Sequence, residues 1–374
     1  MRFERLWRRW VIAWGATACG FLALTAVRAP AAPPQKARED QSQTLQLPQE
    51  LPPVVEGDIR RLAFYVTPLS GKGLLSQQIR DAVRELDRQT GGDSVLKIRA
   101  FVAGSGDVRR VRDLVSQIYT QHRKPLPVLS LIRSGGLPLE GAQVVLEAVA
   151  ASRRVVNPNG LAFLSAQVAE SPGPIAPIAG LVAHSLDALR ESLHAAGTSS
   201  GDVVRVTCFV SSLAGLASSR ALVEREFPHA AASFVQPQRA PAAAMAACEA
   251  VVRLHDDPGP WRVSQAGGPG QSRIALVGAG RVLLTGTQVS FGFEPADTRL
   301  AFERLRKELE QAGSSLGNVV FAQYYPLAES IAGQIRTVRQ EFFNPASPPA
   351  GSMLLFEGLT SMDAGFAVDV VAVK

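Results

Sequence analysis

Three carboxylates recur at equivalent places in otherwise apolar runs: Glu147 in Val144–Ala150, Glu249 in Ala246–Val252 and Asp369 in Phe366–Val373. An ionised carboxylate on a buried strand is costly unless it is paired or put to use. The pattern therefore points either to general acid–base work at a cleft or to a held structural pair. Three arginines keep a register of their own. Arg112, Arg220 and Arg336 each fall 11 residues beyond the last residue of an apolar strand, at Phe101, Phe209 and Tyr325. A guanidinium is a rigid fork that grips oxyanions through paired hydrogen bonds. We expect these arginines to supply positive charge facing the three carboxylates; the plainer alternative is solvated helix arginines in surface ion pairs.

The elements that must position these residues repeat with them. Val95–Phe101, Val203–Phe209 and Val319–Tyr325 are strands by composition. Each follows an amphipathic helix, Leu75–Arg88, Leu181–Ala195 and Thr298–Gln311, closed by Gly91-Gly92, Ala196-Gly197 and Ala312-Gly313. A second helix carries each arginine, and further strands close each unit. The sequence thus divides into units at 58–153, 154–257 and 258–374, with the turn-rich junction Asp256-Asp257-Pro258-Gly259-Pro260 between the last two.

Ahead of the units, basic Met1–Arg9, uncharged Trp10–Val27 and the small residues Ala29-Pro30-Ala31 have the three parts of an export signal, assigned to residues 1–31. The uncharged run is also long enough for a single membrane anchor. Residues 32–57, rich in Pro, Gln and charge, read as an extended tether. The formal charge of +6 is concentrated in Arg2, Arg5, Arg8, Arg9 and Arg28, and the nearly neutral remainder argues against a nucleic-acid partner.

Together, Ser165-Ala166-Gln167, Ala196-Gly197 with Asp202–Thr207, Leu146-Glu147-Ala148-Val149-Ala150 and Pro349-Ala350-Gly351-Ser352 resemble the motifs of the RidA/YjgF family, which has the chorismate-mutase-like fold. The resemblance spans 58–374. It implies an α/β (α+β) architecture of three RidA-like units, each a mixed sheet with two helices, packed as an intramolecular pseudo-trimer that is itself a monomer. It also implies clefts between units and hydrolysis of imines or enamines. There an arginine of the P-A-R-S motif would grip the substrate carboxylate, and a last-strand glutamate would hold the attacking water. That arginine is replaced by Gly351 and, by alignment, by Ala232 and Pro127. The resemblance further sets the strands of Cys208 and Cys248 side by side, leaving both a disulfide and two free core thiols open.

His122, His184, His194, His229 and His255 show no metal-ligand spacing, and Gly278-Ala279-Gly280 lacks the third glycine of a dinucleotide fingerprint. We expect no metal and no cofactor. The function expected is an exported protein, periplasmic or anchored to the outer face of the inner membrane, that binds a small anionic metabolite in its clefts. Two other functions fit the same residues: an imine/enamine deaminase with a relocated arginine, and an interaction scaffold.

Overall fold

The computed structural model describes residues 49–104, 106–264 and 272–374. The export or anchor segment expected over 1–31, and the tether as far as residue 48, lie outside the described residues. The chain order begins with β1 (Val54–Asp58), β2 (Leu62–Val66), α1 (Leu75–Thr90), β3 (Ser94–Val102), α2 (Arg109–Gln121), β4 (Val128–Arg133) and β5 (Val144–Ala151). It continues with β6 (Leu161–Glu170), α3 (Ile178–Ala195), β7 (Val203–Val210), α4 (Leu216–Glu226), β8 (Ala231–Val235) and β9 (Met245–Arg253). The last third holds β10 (Trp261–Ser264), β11 (Ile274–Val277), β12 (Arg281–Thr285), β13 (Gln288–Phe291), α5 (Pro295–Gln311), β14 (Val319–Pro326), α6 (Glu329–Val338), β15 (Ala350–Met353) and β16 (Ala364–Val373).

Local sequence accounts for these elements. In α1, Leu75, Ile79, Val83 and Leu86 recur at helical spacing and are all buried. The helix stops at Gly91, whose left-handed backbone (φ 58°) lets its N–H bond the Arg88 carbonyl. In α5, Pro295 opens the helix, and Glu294 and Asp297 cap each other's backbone N–H groups.

Three mixed sheets result, with strand orders β2-β5-β3-β4, β10-β11-β6-β9-β7-β8 and β1-β12-β16-β14-β15, β13 also pairing β16. Within each sheet the pairs β3–β4, β7–β8 and β14–β15 are parallel, and the long last strands run antiparallel to their neighbours. This is the expected mixed sheet with two helices, three times over.

Sheet membership crosses the unit limits at 57/58 and 257/258. Val54–Asp58, whose first four residues fall in the segment read as tether, is a strand on β12 of the third unit, and Leu51 before it is buried. Similarly β10 and β11, counted with the third unit, complete the sheet of the second, β11 pairing with β6 and β10 with β11. The physical reason is edge protection: β6 and β12 would otherwise present a row of unpaired backbone groups.

Each sheet has two buried faces. On one face the helices pack, giving three separate apolar cores, one per unit. The other face turns inward, where the three sheets share two further apolar layers. One contains Leu62, Val149, Phe163, Val251, Phe321 and Val371. The second is aromatic, with Phe101 on Phe209 (5.8 Å between ring centres) and Tyr325 on Phe356 (5.3 Å). Strand alternation therefore aims residues 97, 99 and 101 of β3 at the shared interior, and likewise 205, 207 and 209 of β7 and 321, 323 and 325 of β14.

Cys208 and Cys248 lie opposite each other on β7 and β9, in the helix-side core, and are joined by a disulfide. Of the two states left open by the sequence, the structure has the bonded one. Among the described residues no helix is long and apolar enough to cross a membrane.

Candidate ligand cleft and axial ion network

Between the two shared apolar layers lies a buried layer of charge. Lys97, Arg99, Glu147, Arg205, Gln323 and Asp369 converge on one cavity of about 40 Å³. Arg99 is its hub, only 4% exposed. Its Nε donates to Glu147 Oε2 (2.7 Å), and its Nη2 donates to both Glu249 Oε1 (2.8 Å) and Thr207 Oγ1 (3.1 Å). Lys97 Nζ donates to Asp369 Oδ1 (2.5 Å). Arg205 reaches Glu249 Oε1 at 3.4 Å, and its Nε has no partner among the described residues.

The hydroxyls and amide that complete the layer link one unit to the next. Glu147 accepts from Thr207 (2.7 Å) and Ser233 of the second unit; Glu249 accepts from Gln323 and Ser352 of the third, both at 2.7 Å. Asp369 closes the ring by accepting from Ser130 of the first unit (2.6 Å), and also from its own unit's Tyr325 (3.0 Å). Three cations balance three carboxylates, and every carboxylate is hydrogen-bonded, which is the condition for burying such charges. Burial pushes the Glu147 carboxyl up, but Arg99, Arg205 and the two hydroxyls outweigh it and hold it below its ordinary value. Burial pushes the Lys97 ammonium down, and Asp369 offsets that only in part. The Tyr325 phenol is driven well up by burial and by the Asp369 charge.

The expected pairing of Arg112, Arg220 and Arg336 with these carboxylates does not form. Those arginines ride on α2, α4 and α6, on the outer side of the sheets, whereas Glu147, Glu249 and Asp369 point to the inner side. Arg112 lies 3.8 Å from Glu50 on an exposed surface, Arg220 donates to the Pro138 carbonyl (3.3 Å), and Arg336 pairs with Glu329 (2.7 Å). The charges that do meet the carboxylates come from Lys97, Arg99 and Arg205. A signal for them exists in the sequence: Lys97 and Arg99 alternate within the apolar run Val95–Phe101, which puts both on one strand face.

A separate cleft of about 320 Å³ opens between β6 and β15. Ser165, Gln167, Ser272, Arg273, Arg336, Arg339 and Ser352 supply its polar lining, with Gly351 and Met353 beside them. At its floor the Ala166 N–H donates to Ser352 Oγ (2.9 Å), and that hydroxyl donates to Glu249. The cleft is therefore one hydrogen bond away from the ion layer. Beyond Val168, Arg336, Met353 and Leu354, which line both, lies an outer groove of about 500 Å³.

Strand pairing also corrects one alignment. Gly351 pairs with Ala322 and Ala232 with Val206, so the corresponding residue opposite Ile98 is Leu129, not Pro127. None of the three can hold a carboxylate. At Gly351 the departure goes further: a Cβ there would lie 2.2 Å from the Ala322 carbonyl oxygen, so the strand has no room for a side chain. Among the described residues no group of His, Cys, Asp or Glu could hold a metal.

Residues 145–255, less than a third of the chain, match the family model described as Endoribonuclease L-PSP. No curated protein matches the chain. Among solved structures, a YjgF/YER057c/UK114 family member from Mycobacterium tuberculosis is 22% identical over 30% of this chain and 99% of its own, with a TM-score of 0.24. A YjgF family protein from Neisseria meningitidis is 18% identical over 30% of this chain and 94% of its own, TM-score 0.24. A Rid family protein from Yersinia pestis, of unknown function, is 19% identical over 31% and 99%, TM-score 0.26.

Proposed function

From a chain related to the RidA/YjgF family through residues 145–255, we propose a protein that binds a small anionic metabolite between units without efficient imine hydrolysis. One observation carries the reading: the β6–β15 cleft keeps Ser165, Gln167 and three arginines, while Gly351 replaces the family's carboxylate-gripping arginine at a point too tight for any side chain. The carboxylates expected to hold the attacking water support it too. Each is committed to buried ion pairs or hydrogen bonds, and Arg99 keeps Glu147 ionised.

A second reading, an imine or enamine deaminase with relocated arginines, is favoured by one contact. Ser352, on the cleft wall, donates to Glu249, so a carboxylate lies directly behind a cleft hydroxyl. Hydrolysis of a freshly generated 2-imino acid by purified full-length protein separates the two. The binding reading expects a rate indistinguishable from buffer. Turnover that falls with Glu249→Gln or Ser352→Ala, with folding intact, would overturn it.

The proposal treats the three units as an internal trimer, supported by the cyclic bonds of the ion layer and by strands shared across unit limits. It places the protein outside the cytoplasm, soluble in the periplasm or tethered to the membrane. The basic, apolar and small-residue order of 1–31 supports this, as does a disulfide of the kind that persists in oxidising compartments.

A further inference from the structure

We infer that the β6–β15 cleft takes one small dianion per chain, a phosphate group or a dicarboxylate, held by Arg273, Arg336 and Arg339 with Ser272. The inference rests on the binding reading above and names the ligand's charge class. Three guanidinium groups line the cleft, and no carboxylate lines it among the described residues. Arg336 is paired with Glu329 on its own helix, and Arg339 packs over the Tyr324 ring (5.8 Å). The lining itself thus carries three guanidinium groups against no carboxylate, one of them paired with Glu329.

Ser272 supplies an independent sign of a missing ligand. It is 5% exposed and lines the cleft, yet its Oγ has no hydrogen-bond partner among the described residues. A buried hydroxyl left unpaired is unfavourable unless something fills its place. A ligand oxygen, which accepts from hydroxyl and guanidinium alike, would do so.

The arrangement is confined to one of the three unit boundaries. The position three residues beyond the helix arginine, Arg339 at the C-cap of α6, is the buried Val115 in α2 and the buried Val223 in α4. Arg273 is delivered by strand sharing: the Ser165 N–H donates to the Arg273 carbonyl as the Gly286 N–H donates to that of Pro53. Pro52 and Pro53 therefore stand where Ser272 and Arg273 do. The cleft at that boundary, lined by Arg112, also has Glu50 and Glu308 on its walls, so its balance is negative. At the remaining boundary Arg220 is turned to the Pro138 carbonyl.

Isothermal titration of full-length protein with inorganic phosphate, succinate and acetate tests this. We expect phosphate or succinate to bind at least tenfold more tightly than acetate, at one per chain. Arg273→Ala should weaken that binding at least tenfold. Ser272→Ala should weaken it severalfold while leaving the melting temperature of the free protein unchanged or raised, since the hydroxyl has no partner among the described residues to lose. The better of phosphate and succinate identifies the source of the charge. Equal binding of acetate and the dianions, weakened by Arg273→Ala, would overturn the dianion and leave the cleft reading standing. Two or three ligands per chain would overturn the confinement to one boundary. No binding of any of the three would overturn both readings.

Discussion

Replacing Arg99 by Met keeps the apolar stem and removes the charge that joins Glu147 to Glu249. Both carboxylates are at most 2% exposed. They would retain only hydroxyl and amide donors, with Arg205 at 3.4 Å from one of them. Removing one partner of a buried ion pair costs about 3–5 kcal/mol, and Arg99 serves two carboxylates, so the upper end is expected. Unfolding entropy near 2.1 cal/mol/K per residue, over roughly 330 folded residues, gives about 0.7 kcal/mol/K and thus a fall of about 7 °C in melting temperature. The assay is thermal unfolding at neutral pH, followed by both near- and far-ultraviolet circular dichroism. Arg99→Met with Glu147→Met should recover more than half of the loss, because the second change removes the stranded charge. A fall under 2 °C for the single variant, or strict additivity of the two, would refute the view that this layer is a coupled network.

Three other outcomes follow from particular contacts. Gly351→Ala should destabilise by about 1–3 kcal/mol, the usual cost of forcing a group into filled space, because its Cβ would meet the Ala322 carbonyl; denaturant titration measures it, and Gly351→Arg should not create imine hydrolysis. Breaking Cys208–Cys248 by the double Ser variant should cost about 4 kcal/mol in the loop-closure account, and peptide mapping without reductant should recover the two peptides linked. Glu147 is held below its ordinary 4.5, so its contribution is complete above that value and is lost as pH falls through its lowered folded-state pKa; as pH falls below 4.5, stability should fall more steeply for the wild type than for Glu147→Gln.

The elements themselves were legible because their signals are local. The helix period of α1, its terminal Gly91, and the apolar runs of β3, β7 and β14 are set by neighbours along the chain. Strand sharing was not, since nothing within Val54–Asp58 says that its partner is β12, more than 200 residues away. The carboxylates were found, because a charge in an apolar strand stands out; their partners were not. Lys97 and Asp369 are 272 residues apart, and only the meeting of three sheets pairs them. The constant offset of Arg112, Arg220 and Arg336 was real but ambiguous. A helix laid over a sheet keeps such an offset whether its residue faces the outer surface or the interior.

That ambiguity bears on how charge is divided between the two polar regions. Buried carboxylates and cations in equal number make the inner layer self-sufficient, so it has little attraction left for a ligand. The outer cleft has the reverse composition, with three arginines and no carboxylate in its lining and, among the described residues, a hydroxyl unpaired. Ser352 touches both, donating to Glu249 while lining the cleft. A ligand oxygen that drew the Ser352 proton outward would leave Glu249 one donor short, in a site where Arg99 and Gln323 already fix its other lone pairs. Ser352→Ala removes that competition at the expense of one hydrogen bond to Glu249. If ligand binding does draw on the inner layer, this variant should lose stability in the free state yet show a smaller ligand-induced rise in melting temperature than the wild type. An equal rise in both proteins would mean that the cleft and the ion layer, though in contact, act independently.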